Sequence, residues 1–322
     1  MNFQFSISNF QKNVPLNNHT TFKIGGPAKY FFAAKTKEDI IQAINWAKKN
    51  DLPFFILGGG SNMVVSDKGF NGLVIKIQTT NYKLQAARLH AEAGVLIETL
   101  VRETGKLGLS GFEWAGGLPG TLGGAIRGNA GAFGGEIKDN IIEVEALDNK
   151  GRIRKFSKKQ CRFSYRDSIF KDKNWIILSA IFVFKNGDGE KIKEAAREHI
   201  NYRKERHPLE YPSAGSVFKN CDLKDVPINI RNFFKDVVKT DPFPVVPAAA
   251  IIARAGLKGL RAGGAEVSEK HPNYIVNKDN ARAVDVLKLI KMVKKKVKEN
   301  FGIKLEEEIQ LLGFSSNNLL TK

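Results

Sequence analysis

Apolar positions along this chain switch repeatedly between helical and strand spacing. Ile40, Ile41, Ile44 and Ala47 recur at helical spacing behind Thr36-Lys37-Glu38-Asp39. There the threonine predicts an N-cap and Asp39 a capping box. The continuous apolar run 52–57 predicts a buried strand, and Met63-Val64-Val65-Ser66 predicts a second. A turn at Gly69/Asn71-Gly72 leads into a third strand over 73–77. Leu96, Leu100 and Val101 mark one side of a helix over 96–106. Segments 141–147 and 175–184 read as strands, with a turn at Asn149-Lys150-Gly151, and 189–205 reads as a helix through Ile192, Ala195, Ala196 and Ile200. Residues 222–247 hold four prolines and read as irregular. A short helix over 248–255 ends at Gly256, and Val284, Leu287, Ile290, Val293 and Val297 define a long one ending at Phe301-Gly302. Residues 303–312 read as a closing strand. Helices and strands alternate without a regular βαβ rhythm, so the predicted class is α+β.

Composition narrows the picture. With 322 residues, 42% hydrophobic, the chain has material for two or three domains. Its two cysteines, Cys161 and Cys221, build no disulfide framework and no C-x-x-C site, and the histidine spacings predict no metal site. Residues 1–10 (MNFQFSISNF) lack the basic and apolar regions of a signal peptide, and no run of eighteen apolar residues predicts a membrane span. A cytoplasmic protein is expected. The net charge of +18 suits nucleic acid, an anionic surface or a phosphorylated small substrate. Much of it lies in Lys288, Lys291, Lys294, Lys295, Lys296 and Lys298, on the polar side of the long helix. A solvated face explains them, and no interleaved aromatics support nucleic-acid binding.

Two glycine-rich segments carry the candidate chemistry. Gly58-Gly59-Gly60-Ser61-Asn62 joins strand to strand. That separates it from a dinucleotide fingerprint, which opens a helix, and from a P-loop, which needs G-K-[ST]. It would bind phosphate as a nest of main-chain N–H groups, or else serve as an ordinary turn. The second segment, 115–135 (AGGLPGTLGGAIRGNAGAFGG), holds one charge, Arg127. Trp114, Leu118, Pro119, Leu122, Ile126 and Phe133 anchor it and argue against a flexible linker. A rigid small-residue surface for a planar ring and a pyrophosphate fits it better.

A family resemblance then emerges. The chain resembles the bacterial UDP-N-acetylenolpyruvoylglucosamine reductases, flavoenzymes of cell-wall precursor synthesis. The matching motifs run in family order through nearly the whole chain. They are 18–28 (NHTTFKIGGPA), 57–62 (LGGGSN), 117–124 (GLPGTLGG), 165–168 (YRDS), 214–220 (AGSVFKN), 255–260 (AGLKGL) and 305–309 (LEEEI). The resemblance implies a two-part FAD-binding fold of the vanillyl-alcohol-oxidase type with an additional α+β substrate domain. The implied division is 1–78 with 304–322, then 79–202, then 203–303. It implies NADPH as hydride donor to the flavin and a UDP-sugar enolpyruvyl ether as acceptor. Three catalytic residues are implied. Arg166 stabilises the developing enolate, Ser216 donates the proton, and Glu308, its pKa raised by burial, shares a hydrogen bond with the developing acid. Each has a plainer reading: a surface ion pair with Asp167, a turn or cap, and a solvated carboxylate. On a strand Glu306 shares a face with Glu308 and competes with it.

FAD contacts are expected from Gly58, Gly59, Gly60, Ser61, Asn62, Gly117, Pro119, Gly120, Thr121, Gly123, Gly124, Asn129 and Gly131. The resemblance points to Tyr165, Arg206, Lys219 and Asn220 for the nucleotide half of the substrate. No histidine lies in either glycine segment, so a non-covalent flavin is expected. A monomer is the default for the oligomeric state. Departures from the family pattern are a short 169–175 (IFKDKNW) without a loop tyrosine, Cys221 where proline is usual, Glu266 where glutamine is common, and an apparent insertion near 223–246. Two other functions compete. An oxidase of the same fold would keep the glycine loops without needing Ser216 and Glu308 together, and a nucleic-acid binder rests on the +18 alone.

Overall fold

A computed structural model describes residues 10–241 and 243–314. The signal-peptide reading of the first residues, and the part of the 304–322 segment past Phe314, fall outside the described residues. The described chain forms two compact units. One comprises residues 10–14, Lys29–Gly59 and Asn71–Arg203; the other comprises Pro15–Ala28, Gly60–Phe70 and residues from Lys204 onward.

In the first unit the capping box forms as its residues dictate. The Thr36 hydroxyl accepts the Asp39 N–H at 3.0 Å, and the Asp39 carboxylate accepts the Thr36 N–H at 3.0 Å. Helix Lys37–Lys49 follows and buries Ile40, Ala43, Ile44 and Ala47. Strand Phe54–Leu57 pairs in parallel with Phe70–Ile77, at the edge of a four-stranded sheet. Asn71 and Gly72 therefore lie inside a strand, and the expected turn falls earlier, at Asp67-Lys68. A five-stranded antiparallel sheet runs in the order Ile153–Ser157, Ile141–Leu147, Ile176–Val183, Arg88–Glu92, Tyr82–Gln85. Leu89 and Ala91 are buried while Arg88 and His90 are exposed, the alternation of a strand with one face on the core. Helix Leu122–Arg127 lies inside the second glycine segment. Glycine is a poor helix former, and burial of Leu122, Ala125 and Ile126 overrides that preference.

In the second unit a four-stranded antiparallel sheet runs Ser213–Ser216, Tyr274–Asn277, Ala265–Val267, Arg261–Ala262. Helix Ala283–Phe301 buries Val286, Leu287, Ile290, Val293 and Val297; Val284, expected on that face, is exposed, and the lysines are exposed except half-buried Lys294. The Asp67 carboxylate accepts the Ala283 N–H at 2.8 Å and the Val284 N–H at 3.2 Å, capping the helix start. Gly302, at φ +68, ends it. Residues 303–312 are not one strand. Only Gln310–Leu312 is regular, pairing in parallel with Met63–Val65, and Glu307 makes an isolated bridge to Phe218. The described residues of segment 222–247 form short helical turns and strands. The ribbon of Cys221–Asp222 with Val245–Val246 closes its mouth, and Phe234 is fully buried against Phe301 at 5.2 Å between ring centres. The expected α+β class holds in both units.

Candidate active site

The first unit brings the two glycine segments against each other. A side chain on Gly59 would meet the Gly120 Cα at 2.7 Å, and one on Gly58 the Thr121 hydroxyl at 2.5 Å. Gly59 is required by backbone meeting backbone and Gly58 by the Thr121 side chain, whatever else they do. Others are required by side chains: a Cβ on Gly117 would meet Arg203 at 3.0 Å, and one on Gly123 would meet Ala93 at 2.9 Å. Gly124 is exposed and its Cβ position meets only the Thr121 hydroxyl at 3.7 Å, so the surface there is open. Pro119 is exposed as well. Among the described residues, the amides of Gly59 and of buried Thr121 donate to no protein acceptor. Unused N–H groups on apposed small-residue loops suit an anionic dinucleotide, so these residues fit a bound FAD.

Lys76, to which the sequence assigned no role, contacts the first glycine loop. Its ammonium group donates to the Gly58 carbonyl at 2.5 Å, and burial lowers its pKa. A single charge inside the apolar run 73–77 was the available signal. Arg127, the only charge of the second segment, is spent within the protein. It donates to the Phe170 carbonyl at 2.6 Å and to Asn174 at 3.0 Å, and burial lowers its pKa. Asn129 is fully buried. Its side-chain amide donates to the Ser164 carbonyl at 3.0 Å and its oxygen accepts the Lys138 N–H at 3.2 Å. It therefore ties the glycine segment to the loop that bears Tyr165 and Arg166.

That loop is a tight turn closed by a bridge between Ser164 and Asp167. The turn forces Arg166 to φ +54, a left-handed conformation that costs a non-glycine residue about 1 kcal/mol or more. The Arg166 side chain turns back on the glycine segment, donating to the Gly131 carbonyl at 2.9 Å, with its guanidinium 5.0 Å from the Tyr165 ring centre. Ser168 is buried and donates to the Arg127 carbonyl at 2.7 Å. The turn is thus bolted to the glycine segment at three places.

The second unit gathers the other candidates. Gly60, at φ +67, is buried against the His19 carbonyl, and its own carbonyl accepts the Thr21 N–H at 3.1 Å. The Ser61 carbonyl lies 4.0 Å from where a Gly215 side chain would start. The Asn62 side chain donates to the Glu308 carbonyl at 3.3 Å. The Glu308 amide donates to the Val217 carbonyl at 2.8 Å, next to Ser216. Ser216, Glu308 and the end of the first glycine loop therefore share one region of this unit. The three carboxylates of Leu305-Glu306-Glu307-Glu308-Ile309 part company. Glu306 has a side chain 71% exposed and pairs with Lys219 at 2.5 Å; Glu307 pairs with Lys294 at 2.7 Å. Glu308 is half-buried beside the Ser216 strand. The strand-face argument for Glu306 lapses, because residues 303–309 are not a regular strand. Asn220 accepts the Ala248 N–H at 3.1 Å, and Arg206 is exposed at the end of helix Gly189–Arg206. Burial pushes the Cys161 and Cys221 thiols up to about 12, which leaves them unreactive. Among the described residues no His/Cys/Asp/Glu group has a metal-binding arrangement, and no helix is long and apolar enough to cross a membrane.

Known proteins agree with this layout. Residues 28–157 match the FAD binding domain family, and residues 207–312 match the C-terminal domain of UDP-N-acetylenolpyruvoylglucosamine reductases. The UDP-N-acetylenolpyruvoylglucosamine reductase of Caldanaerobacter subterraneus subsp. tengcongensis is 41% identical over 302 residues, covering 94% of this chain and 93% of that protein. That of Caldicellulosiruptor bescii is 40% identical over 320 residues, covering 97% and 95%. The crystal structure of the Thermus caldophilus enzyme of the same name superposes with a TM-score of 0.75 at 31% identity, covering 94% of this chain and 99% of that one. The expected architecture, an FAD-binding fold with a further α+β domain, stands. The chain belongs to the UDP-N-acetylenolpyruvoylglucosamine reductase family and is an FAD-dependent oxidoreductase of UDP-N-acetylmuramate synthesis.

Proposed function

We propose that this chain reduces UDP-N-acetylglucosamine enolpyruvate with NADPH as the electron source and with Arg166, Ser216 and Glu308 as catalytic residues. Bound FAD supplies the hydride-transfer chemistry. Hydride addition to an enol ether beside a carboxylate leaves negative charge on the adjacent carbon and the carboxylate oxygens. The Arg166 guanidinium stabilises that charge where it develops. The Ser216 hydroxyl gives its proton to the carbon and is reprotonated from solvent. Glu308, in its protonated form, donates a hydrogen bond to the developing acid. Hydride plus proton saturate the double bond, and the charges balance.

The observation carrying this reading is the main-chain bridge that holds Glu308 beside Ser216, with the Glu308 N–H on the Val217 carbonyl at 2.8 Å. An oxidase of small alcohols has no use for that pair. The strained turn at Arg166 also supports it, because backbone strain persists where a side chain must be aimed. Non-covalent FAD is held by Gly58, Gly59, Gly60, Ser61, Asn62, Gly117, Pro119, Gly120, Thr121, Gly123, Gly124 and Gly131, with Asn129 fixing the loop from beneath. Tyr165, Arg206, Lys219 and Asn220 take the nucleotide half of the substrate, with Lys219 exchanging Glu306 for a phosphate oxygen. We assign residues 1–78 with 304–322 and 79–202 to the flavin, and 203–303 to the substrate, in a cytoplasmic monomer. Stopped-flow spectroscopy tests the central claim. Ser216→Ala should be reduced by NADPH at the normal rate and should be reoxidised by the enolpyruvyl substrate about 10²- to 10⁴-fold more slowly. Normal reoxidation would remove Ser216 as proton donor.

A further inference from the structure

Asn273 stands immediately before strand Tyr274–Asn277 and is 4% exposed. It holds the two residues that follow Ser216 through three hydrogen bonds. Its main-chain carbonyl accepts the Val217 N–H at 2.8 Å. Its side-chain oxygen accepts the Phe218 N–H at 3.0 Å, and its side-chain amide donates to the Phe218 carbonyl at 2.8 Å. Phe218 is 2% exposed, so neither of its peptide groups has water as an alternative.

The opposite edge of the same short segment carries Glu308. The Val217 carbonyl accepts the Glu308 N–H at 2.8 Å, and the Lys219 N–H donates to the Glu306 carbonyl at 2.9 Å. In this antiparallel bridge Phe218 faces Glu307 as a non-hydrogen-bonded pair, so its own N–H and C=O point the other way. Regular pairing of the Ser216 strand with Tyr274–Asn277 stops at Ser216, after a register shift. The Asn273 side chain takes over where the strand partner ends. Its carboxamide has the donor and acceptor of a peptide group, set side by side.

We propose that Asn273 is a positioning residue for the proton-donating step, setting the main chain between Ser216 and Glu308 so that the two side chains keep their spacing. The proposal rests on the roles of Ser216 and Glu308 given above. Asn273→Asp tests it on the flavin-loaded protein. This variant is nearly isosteric, keeps an acceptor for the Phe218 N–H and loses the donor to the Phe218 carbonyl. If it does not fold, Asn273→Gln, which displaces both groups by one methylene, is measured in the same way.

Three results are expected. Flavin content and reduction by NADPH stay at the parent level. Reoxidation by the enolpyruvyl substrate falls about tenfold to a hundredfold, as a small misplacement of reacting groups predicts. Amide hydrogen exchange in the peptide spanning 217–219 rises at least about tenfold, because a buried N–H···O pair has been loosened. In a Ser216→Ala background the same substitution should add no further slowing of reoxidation, since its effect passes through Ser216. Unchanged reoxidation in the single variant overturns the proposal. So does an equal fold-loss in both backgrounds, or an equal loss in the NADPH step, which marks a merely structural residue. If Ser216→Ala alone reoxidises at the parent rate, the proton-donor reading itself has failed and the proposal falls with it. A slow Ser216→Ala beside a normal Asn273→Asp removes the proposal alone.

Discussion

The turn that carries Arg166 and the bridge that carries Ser216 and Glu308 solve the same problem in opposite ways. Arg166 is aimed locally. Four consecutive residues fold into a turn, the arginine takes φ +54, and its guanidinium is caught by the neighbouring glycine segment. Ser216 and Glu308 are aimed globally, by pairing of segments distant in sequence, and the one left-handed residue beside them is Gly215, which takes φ +74 without the cost that Arg166 bears. Local aiming stores strain at one residue. Global aiming stores none but depends on every strand in between being in register.

The difference can be broken at several points. Arg166→Gly should have the largest effect on turnover, about 10²- to 10³-fold. Thermal stability should stay within about 1 kcal/mol of the parent, because glycine relieves the left-handed strain while the Gly131 bond is lost. A large loss of stability would place Arg166 among the fold-building residues.

Acid should act on the other side. His271 follows the Ser216 sheet closely, its main-chain carbonyl accepting the Tyr274 N–H at 2.9 Å. Burial is the main cause that lowers its pKa from 6.5 to about 4. The unfolded chain takes up this proton first, so the stability His271 contributes is complete above about pH 6.5 and is lost as pH falls toward 4. The loss amounts to at most about 3 kcal/mol. His271→Gln should flatten the decline of the unfolding midpoint between those pH values; an unchanged slope would show that other groups set it.

Glycines of the two loops should separate by role. Gly59→Ala drives a methyl group to 2.7 Å from the Gly120 backbone and should cost about 1–3 kcal/mol of stability together with FAD affinity. Gly124→Ala meets no backbone and should lower FAD affinity, measured calorimetrically, without loss of stability. Equal behaviour of the two variants would contradict the open surface at Gly124. Smallest of all, Glu306→Gln should leave reoxidation unaltered and change stability by less than about 1 kcal/mol, as expected of an exposed ion pair. A stalled reoxidation step there would revive Glu306 as the acid.

Local chemistry explains which parts of this protein were legible in its sequence. The capping box at Thr36 and Asp39, the long helix with its lysine face and its glycine stop, and the α+β class all follow from spacing over a few residues. Motif order through the chain identified the family and brought the candidate residues with it. The sequence was silent wherever a group's partner is distant. The segment 303–312 has the composition of a strand, but only Gln310–Leu312 finds a neighbour to pair with. The glycines at 58 and 59 read as ligand contacts, whereas their nearest constraint is the second glycine segment itself. Asn129 reads as an FAD contact and is consumed by a main-chain carbonyl and a main-chain amide, and Arg127, the one charge of its segment, is spent on the Phe170 carbonyl and the Asn174 side chain. Glu306, Glu307 and Glu308 differ only in their tertiary partners, a lysine for each of the first two and the Ser216 strand for the third. Spacing determines the faces of an element because the geometry of helix and strand is local. The partner of a buried polar group is fixed only when the chain closes on itself, because burial and hydrogen bonding must then be satisfied together.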